Sequence, residues 1–370
     1  MSQLQTFKTL GLASGSELDS LRAAIITTDG VDVFEQGNVY DFPFDEELRD
    51  ILKSAHKNFA HISDETKQDV DNKFTDFCIY SIKEILGDVT NINLIGLGGH
   101  IICHKPQEHI LCQIGDWHRI AKETNIKTVG NFRASDILAG GLGAPLSAIY
   151  HAALSQQIEK PLVWVDIGGI SSLTYIGQNG ELIAFDTGAG NAVINDWVNK
   201  HGGMHCDYNG KLAISGKVNE EILACLMRHK FLNLAPPKVA DKTTFDEKME
   251  HLEGLSLEDG AATATMFVAQ SIIKAIEDFI PEKLQKMIIC GGGSKNPTLM
   301  RCIRQYANDI EICSADECGF KSQFIEAQAF SFLAARRCNQ MPISYPLPQV
   351  PQWKLLAAKC PSNRKKYYEY

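Results

Sequence analysis

The chain has no long hydrophobic segment and no excess of positive charge. No apolar run in its 370 residues approaches the roughly 18 needed to cross a bilayer, and Met1–Thr6 contains no apolar core of a secretory signal. The formal net charge is −9, whereas binding to nucleic-acid phosphates needs clustered Lys and Arg. We therefore expect a cytoplasmic protein with no membrane and no nucleic-acid partner.

Two common nucleotide-binding signatures are also missing. The nearest approach to a P-loop, between Gly210 and Lys217, has the wrong glycine spacing and no Ser or Thr after the lysine. No Gly-x-Gly-x-x-Gly follows a strand-like run and opens a helix, which argues against a Rossmann dinucleotide site. The 11 cysteines are odd in number and have no regular spacing, so we predict reduced thiols rather than a disulfide framework.

Glycine, in contrast, is plentiful, and four glycine-rich turns follow short apolar runs of β type. Glycine has no Cβ, so the backbone N–H groups of such turns can approach a phosphate closely. Because the four turns are spread over nearly the whole length, we predict a nucleotide held between two lobes. The turns lie at residues 11–19, 166–169, 185–191 and 290–293.

A strand–loop–strand–turn–strand pattern occurs twice, at residues 9–34 and 162–185. We predict an internal duplication in which two similar lobes face one another across a cleft. Apolar residues at helical spacing predict helices at 63–86, 263–280 and 324–336. Strands that alternate with helices, over a length suited to two domains, are typical of α/β proteins.

Taken together, these motifs resemble those of the anhydro-N-acetylmuramic acid kinases, bacterial enzymes of the sugar kinase, Hsp70 and actin superfamily. The resemblance runs over almost the full chain, from Gly11 to about Pro346. Its most specific matches are Phe132-Arg133, Ala139-Gly140-Gly141, Gly143-Ala144-Pro145-Leu146, His151, Ile167-Gly168-Gly169-Ile170-Ser171, Phe185-Asp186-Thr187-Gly188, Gly190-Asn191, Cys290-Gly291-Gly292-Gly293, Asn296-Pro297, Ala315-Asp316-Glu317 and Glu326-Ala327.

The resemblance implies a two-lobed α/β fold of the actin, Hsp70 and hexokinase type. Each lobe is then a mixed sheet flanked by helices, with ATP and Mg²⁺ in the cleft between them. We expect a first lobe at residues 1–131 with the N-terminal phosphate loop, a second lobe at 132–345, and a C-terminal tail at 346–370. A homodimer is a further expectation from the family.

The resemblance also implies the reaction. Water opens the anhydro bridge of 1,6-anhydro-N-acetylmuramic acid at C1, and the freed O6 takes the γ-phosphoryl group of ATP. The product is N-acetylmuramic acid 6-phosphate, formed in the recycling of peptidoglycan amino sugars. A water that attacks an acetal carbon needs a carboxylate to accept its proton, and Asp186 matches the family's general base. The alternative for Asp186 is a turn-capping role beside Thr187-Gly188.

The remaining site residues are assigned by the same match. Arg133 and Glu326 match positions near the sugar, where Arg133 would pair with the lactyl carboxylate and Glu326 with hydroxyl groups; a structural ion pair is the alternative. Asp19 would hold Mg²⁺ or its waters. The expected contacts to ATP are Gly15, Ser16, Glu17, Leu18, Asp19, Gly168, Gly169, Gly188, Gly190, Gly291, Gly292, Gly293 and Asn296.

Several positions depart from the family's motifs. The first loop, residues 14–20, carries Glu17, which adds negative charge where phosphates should sit. The usual His-Gly-Gln reads Gly98-Gly99-His100. A second interpretation therefore stays open: a diverged paralogue with lost or altered catalysis that binds ATP or sugar as a regulator, or a kinase of another sugar. Retention of Asp19, Arg133, Asp186 and the phosphate glycines favours an active kinase.

Overall fold

The fold is that of a computed structural model, which describes residues 4–344 apart from 16, 17 and 109. The predicted tail at 346–370 and the predicted ATP contacts Ser16 and Glu17 lie outside the described residues. The strands are β1 (Phe7–Ser14), β2 (Ser20–Thr28), β3 (Val33–Pro43), β4 (Leu94–Leu97), β5 (His100–Lys105), β6 (Ile110–Ile114), β7 (Thr128–Val129), β8 (Leu162–Ile167), β9 (Ile170–Ile176), β10 (Leu182–Ala189), β11 (Lys286–Cys290) and β12 (Glu311–Ser314).

The α-helices vary widely in length. In the described part of the chain none of them is long and apolar enough to cross a bilayer. They are α1 (Glu46–Lys57), α2 (Asp64–Asp88), α3 (Trp117–Thr124), α4 (Phe132–Leu138), α5 (Ala148–Leu154), α6 (Asn191–Gly202), α7 (Lys211–Ser215), α8 (Glu220–Leu226), α9 (Asp246–Met249), α10 (Leu257–Phe279), α11 (Pro297–Tyr306) and α12 (Ile325–Cys338).

The strands form two five-stranded mixed sheets with the same topology. Their orders are β3-β2-β1-β4-β7 and β10-β9-β8-β11-β12. In each sheet the first three strands along the chain are antiparallel, a fourth strand pairs in parallel with the central strand, and a fifth pairs in parallel with the fourth. β5 and β6 form a separate hairpin. The predicted α/β fold with two similar lobes is thereby confirmed.

The central strand of the second sheet, β8, is buried on both faces because helices cover both sides. Val163 and Val165 pack in a core that includes α10. Leu162 and Trp164, which alternate with them, pack in a different core with α5 and α12. Burial on both sides explains why this strand is a nearly continuous apolar run in the sequence.

The predicted helices are present, but one begins earlier than predicted. α10 begins at Leu257 instead of residue 263, because the Ser256 side chain caps it by accepting a hydrogen bond from the Asp259 backbone N–H. The small residues of its first turns lie against a large partner. A Cβ on Gly260 would stand 2.1 Å from Cε2 of Trp197. Close packing against glycine leaves no apolar periodicity, so the sequence pattern missed these turns.

The last helix, α12, packs between the two sheets. Ala327 and Phe330 belong to a core with the first sheet, whereas Ala329 and Phe332 belong to a core with the second. The Ser331 hydroxyl also lies 3.3 Å from the Thr9 carbonyl oxygen of β1. Although its sequence position falls within the predicted second lobe, α12 therefore contacts both sheets, and the predicted lobe limits remain a prediction.

Gly96 of β4 lets α12 approach the first sheet, which gives a stability prediction. A Cβ at this position would stand 2.2 Å from the Phe330 carbonyl oxygen. We expect Gly96→Ala to lower the free energy of unfolding by about 1–3 kcal/mol, since backbone must move to relieve the overlap. The matched control is Gly87→Ala in α2, where an added Cβ meets no atom within 4 Å. Denaturant unfolding of both variants measures this. If Gly96→Ala had the unfolding free energy of the wild type, α12 would not pack closely against Gly96.

Candidate active site

A cleft between the two sheets is lined by residues of both. One cavity in it has a volume of about 260 Å³ and a second has about 780 Å³. Arg22, Gly292 and Gln323 line both cavities, so the two adjoin. The first cavity collects half of the sixteen predicted site residues, namely Gly15, Arg133, Gly168, Gly169, Asp186, Gly291, Gly292 and Glu326. The second collects Leu18, Asp19 and Asn296.

Three predicted ATP contacts, Gly188, Gly190 and Gly293, are not among the residues that line the two cavities. A Cβ on Gly188 would stand 3.0 Å from Leu232 and Ser271 side-chain atoms, one on Gly190 would stand 2.3 Å from the Gly168 carbonyl oxygen, and one on Gly293 would stand 2.4 Å from Ile167. These glycines allow close packing beneath the turns that do line the cavity. Sequence motifs alone do not separate such supporting glycines from those that face the cleft.

Asp186 lies near the end of β10, at the floor of the first cavity. A β-bulge between Asp186 and Gly188 shifts the register against β9 there, and such bulges re-aim side chains. The residue is 5% exposed. Its backbone N–H donates to the Lys238 carbonyl oxygen at 3.0 Å, and its Oδ2 accepts from the Ala240 N–H at 2.8 Å. The carboxyl group is thus fixed at one oxygen in a mostly water-excluded site.

This environment changes the acidity of Asp186. Burial raises the pKa from 3.8 to about 7, against the opposing effects of the Ala240 hydrogen bond and of the Arg133 and Lys238 charges. An acid whose pKa lies near neutrality is suited to accept and release a proton at physiological pH. The predicted turn-capping role does not account for this position, since the side chain accepts from the separate segment that contains Ala240.

The raised pKa also predicts a change in stability. A folded-state pKa above the usual value stabilises the protein at low pH, and this stabilisation is lost as the pH rises from about 4 through about 7. Asp186→Asn removes the buried charge, so we expect the variant to be more stable than the wild type at pH 8, by up to about 4 kcal/mol, and nearly equal to it at pH 4. Denaturant unfolding at the two pH values measures this difference. If the difference in unfolding free energy between the variant and the wild type were the same at pH 4 and pH 8, the pKa of the Asp186 carboxyl group would not be raised in the folded protein.

Lys238 supports the segment that holds Asp186. Its ammonium group is buried and donates to the carbonyl oxygens of Phe231 and Leu232, each at 3.2 Å. The same group lies over three aromatic rings, of which that of Phe279 is closest at 4.7 Å from Nζ to the ring centroid. Burial lowers its pKa to about 8. These contacts anchor the chain two residues before Ala240.

Arg133 and Glu326 form an ion pair at the wall of the first cavity. Arg133 Nη2 lies 3.4 Å from Glu326 Oε1, and Nη1 donates to the Gly143 carbonyl oxygen at 2.9 Å. Arg133 Nε is buried and has no hydrogen-bond partner among the described residues. A guanidinium group has five N–H donors, so Arg133 keeps donors for a ligand. The pair predicted as a sugar contact is therefore an ion pair that also lines the cavity.

The glycines of the second sheet form a turn that fits a phosphate chain. The Gly168 and Gly169 carbonyls accept from the N–H groups of Asn191 and Gly190, at 2.8 and 3.1 Å, which fixes the turn from behind. On the other side, a Cβ on Gly168 would meet only the Ile170 carbonyl oxygen, at 3.7 Å. The open face of Gly168 therefore points into free space, as close approach of a ligand to the backbone requires.

Basic side chains line the second cavity, which adjoins the cavity of this turn. They are Arg22, Arg49, Lys53 and Lys295. Arg49 also braces the first loop, because its Nε donates to the Leu18 carbonyl oxygen at 3.2 Å. The Asn296 side chain caps α11 by accepting from the Thr298 and Leu299 N–H groups. Glycine backbone beside several cations is a suitable environment for a polyphosphate.

Asp19, the predicted magnesium residue, lies at the second cavity and is half exposed. Its Oδ2 pairs with the Arg22 guanidinium group, and its Oδ1 accepts from the Ser20 N–H at 2.9 Å. Across the described residues no three or more His, Cys, Asp or Glu side chains form a cluster that could hold a metal. Mg²⁺ bound with a nucleotide needs only one or two carboxylates, since phosphates and water supply the other ligands. A single carboxylate such as Asp19 fits that mode.

The cleft also contains residues that the sequence reasoning did not assign. His100 Nδ1 lies 2.9 Å from the Ser14 hydroxyl, and His100 Nε2 lies 2.9 Å from His56 Nε2. All three residues line the first cavity. His104 lines it as well, and burial together with the Arg133 charge lowers its pKa to about 4, so its ring is neutral at pH 7. The departure to Gly98-Gly99-His100 was the available signal for His100, whereas nothing near His56 in the sequence marked it.

A family model described as anhydro-N-acetylmuramic acid kinase matches residues 7–351. The chain belongs to this family. A relative of that name from Paramagnetospirillum magneticum is 36% identical over 343 residues, which cover 91% of this chain and 94% of the relative. Relatives of the same name from Methylobacterium nodulans and Agrobacterium fabrum are 34% and 35% identical and cover 92% and 91% of this chain, and 95% and 94% of their own. The resemblance predicted from the motifs is confirmed, and the chain is a member of a kinase family.

Solved structures with similar folds are more distant. Component A of the (R)-2-hydroxyglutaryl-CoA dehydratase of Acidaminococcus fermentans has a TM-score of 0.45 at 12% identity, over 90% of this chain and 98% of that one. A ROK family glucokinase from Streptomyces griseus, in complex with glucose and AMPPNP, has a TM-score of 0.38 at 11% identity, over 89% and 99% of the two chains.

Proposed function

We propose that the protein is an ATP-dependent kinase that opens 1,6-anhydro-N-acetylmuramic acid with water and phosphorylates it at O6. The product is N-acetylmuramic acid 6-phosphate. The observation that carries the proposal is the position of Asp186, an acid with a pKa of about 7 in a cleft that also contains Gly168 and Arg133. Relatives that match this chain over nearly their full length carry the name of this kinase.

Asp186 is the proposed general base. Its Oδ2 is held by the Ala240 N–H, which leaves Oδ1 to accept a proton from a water molecule. As the proton moves to Asp186, the water oxygen bonds to C1 of the sugar and the bond between C1 and O6 breaks. O6 then takes the γ-phosphoryl group, ADP leaves, and Asp186 releases its proton to solvent. Base and conjugate acid are both populated near pH 7, so the carboxyl group is ready for the next cycle.

The glycine turns and cations are the proposed nucleotide site. Gly168, Gly169, Gly291 and Gly292 would contact the phosphates through the backbone, and the cations of the second cavity would balance their charge. ATP supplies the phosphoryl group, and Mg²⁺ neutralises charge on its phosphates when bound. Asp19 would hold the metal directly or through water once its pairing with Arg22 is broken or shared.

We further propose a cytoplasmic location and a place in the recycling of peptidoglycan amino sugars. Both follow from the proposed substrate, which is a fragment of peptidoglycan, and from the need for ATP. The predicted homodimer and the predicted absence of membrane and nucleic-acid partners stay predictions.

Arg133 is the proposed contact for the lactyl carboxylate. We expect Arg133→Met to raise KM for the anhydro sugar about 10- to 100-fold, the loss of a hydrogen bond to a charged group, with KM for ATP little changed. Arg133→Lys keeps the charge but not the forked geometry, so we expect its KM for the sugar to lie between those of the wild type and Arg133→Met. Arg119→Met, at an exposed pair with Asp76, is the matched control. An unchanged KM for the sugar in Arg133→Met would assign Arg133 a structural role only.

The proposed function is tested by sugar-dependent release of ADP. The protein, ATP and Mg²⁺ are incubated with 1,6-anhydro-N-acetylmuramic acid, N-acetylmuramic acid, N-acetylglucosamine or glucose. We expect ADP release with the anhydro sugar to exceed that with the others by at least about 100-fold, since only the anhydro substrate couples ring opening to transfer. Stabilisation by the sugar and ATP without ADP release would contradict the proposal and identify a binding protein.

A further inference from the structure

Two cysteine thiols, one on the outer strand of the second sheet and one in the turn after it, lie in contact. Cys313 lies in β12, and Cys318 lies in the turn that follows it. Their Sγ atoms are 2.8 Å apart. Both residues are half-buried and are free cysteines.

The backbone of the turn holds the two thiols together. The Cys318 N–H donates to the carbonyl oxygens of Ser314 and Ala315, at 3.2 and 3.1 Å, and the Phe320 N–H donates to Ala315 at 2.8 Å. Gly319 adopts a positive φ of 85°, which glycine tolerates without strain. The turn therefore brings the side chains of positions 313 and 318 together by its own hydrogen bonds.

We propose that Cys313 and Cys318 are a redox-active dithiol that forms a reversible disulfide by exchange with small disulfides such as oxidised glutathione. A disulfide S–S bond is about 2.05 Å long, so the sulfur atoms at 2.8 Å need to approach by under about 1 Å. This site is separate from the proposed kinase chemistry and does not depend on it.

The exchange proceeds in two steps. The Cys318 thiolate attacks one sulfur of the small disulfide, forms a mixed disulfide and releases one small thiolate, which takes up a proton. Cys313 then loses its proton and attacks Cys318 Sγ, which forms the protein disulfide and releases the second small thiol. The two protein thiols are oxidised by two electrons, and the small disulfide is reduced to two thiols. Burial and the contact with Cys318 raise the pKa of Cys313, so Cys313 is assigned the second step.

The dithiol is connected to the glycine turn of the cleft. Asp316, between the two cysteines, pairs with Lys295 at 2.6 Å and accepts from the Ser322 hydroxyl. The Ser322 carbonyl oxygen in turn accepts from the Gly291 N–H at 3.1 Å. Lys295 and Gly291 line the two cavities of the cleft. A covalent change between residues 313 and 318 thus takes place one contact away from the proposed nucleotide site.

Another cysteine pair in the chain provides an internal comparison. Cys103 and Cys112 are opposite each other in the β5–β6 hairpin. Cys103 is buried, whereas Cys313 and Cys318 are both half-buried. Oxidation is therefore expected at 313 and 318 before 103 and 112, since exposure controls access of a small disulfide.

The test uses the intact reduced protein in glutathione buffers of increasing oxidised fraction. Free thiols are then alkylated and the protein is digested with trypsin. No Lys or Arg lies between Arg304 and Lys321, so residues 305–321 form one peptide with both cysteines. We expect both cysteines of this peptide to become resistant to alkylation together. The mass of the oxidised peptide should be two hydrogen atoms below that of the unalkylated dithiol peptide, and a reductant should restore alkylation of both cysteines.

Cys318→Ser and Cys338→Ser complete the design. Cys318→Ser should abolish the two-thiol loss, whereas Cys338→Ser, which removes another half-buried cysteine, should leave it unchanged. If the peptide stays fully alkylated while other cysteines oxidise, if it carries only a mixed disulfide with glutathione, or if the loss maps to Cys103 and Cys112, the proposal is overturned. Mass is the readout, so these outcomes do not depend on whether the protein is a kinase.

Discussion

Asp186→Asn is expected to lower kcat by about 10²–10⁴-fold, the range that a general base contributes, and to leave KM for ATP nearly unchanged. Asparagine has almost the same shape and its side-chain oxygen can still accept from the Ala240 N–H that binds Oδ2. It cannot take a proton from water at neutral pH. The cleft geometry is therefore retained and only the proton acceptor is lost. Steady-state ADP release with the anhydro sugar measures the effect.

Two controls separate lost chemistry from lost structure in this variant. Asp309→Asn alters an exposed aspartate that pairs with Lys283, and its kcat should equal that of the wild type. The unfolding free energy of Asp186→Asn at pH 8 should be equal to or higher than that of the wild type, so its low rate does not come from unfolding. Turnover at the wild-type rate in Asp186→Asn would show that another group removes the proton.

The pH dependence of kcat/KM for the anhydro sugar is the second large effect. With a pKa of about 7, Asp186 is the ionised base above pH 7 and becomes protonated below it. We expect kcat/KM, which reports the pKa of the free enzyme, to fall about tenfold per pH unit well below pH 7, hence about 50-fold between pH 7 and pH 5. The mid-point of this limb near pH 7 distinguishes a buried base from an ordinary carboxylate, whose limb would lie near pH 4.

Lys238→Met should shift the acid limb of the pH profile, because it changes the pKa of Asp186. The Lys238 charge lowers the pKa of Asp186, so its removal should move the acid limb to higher pH. Lys230→Met changes a lysine whose residue is exposed and should leave the limb in place. A profile that is flat between pH 5 and pH 8 in the wild type, or unchanged in Lys238→Met, would argue against Asp186 as the titrating group.

Much of the fold was predictable because its local patterns are strong. The repeated strand–loop–strand–turn–strand pattern became two sheets of identical order. The packing of α12 between these sheets was not predictable. It rests on contacts between residues more than 300 positions apart, such as Ser331 with Thr9, and on the absence of a side chain at Gly96. Sequence spacing carries no information on such contacts.

The candidate site was predictable in the same uneven way. The motifs identified Asp186, Arg133 and Glu326, which the fold brings to one cavity. His56 and His100 of the cleft are 44 residues apart and meet only through the tertiary structure. The acidity of Asp186 was likewise outside the reach of the motifs, because it depends on burial beneath the segment that contains Ala240.

The central claim is that one protein-activated water opens the anhydro ring for each phosphoryl group transferred. The most direct measurement is a single turnover in water labelled with oxygen-18, analysed by mass spectrometry before the sugar exchanges its C1 oxygen with solvent. We predict one ADP and one labelled oxygen at C1 of each N-acetylmuramic acid 6-phosphate formed, and neither product with Asp186→Asn. A phosphorylated sugar with an intact anhydro ring, or ring opening without ADP, would contradict the account.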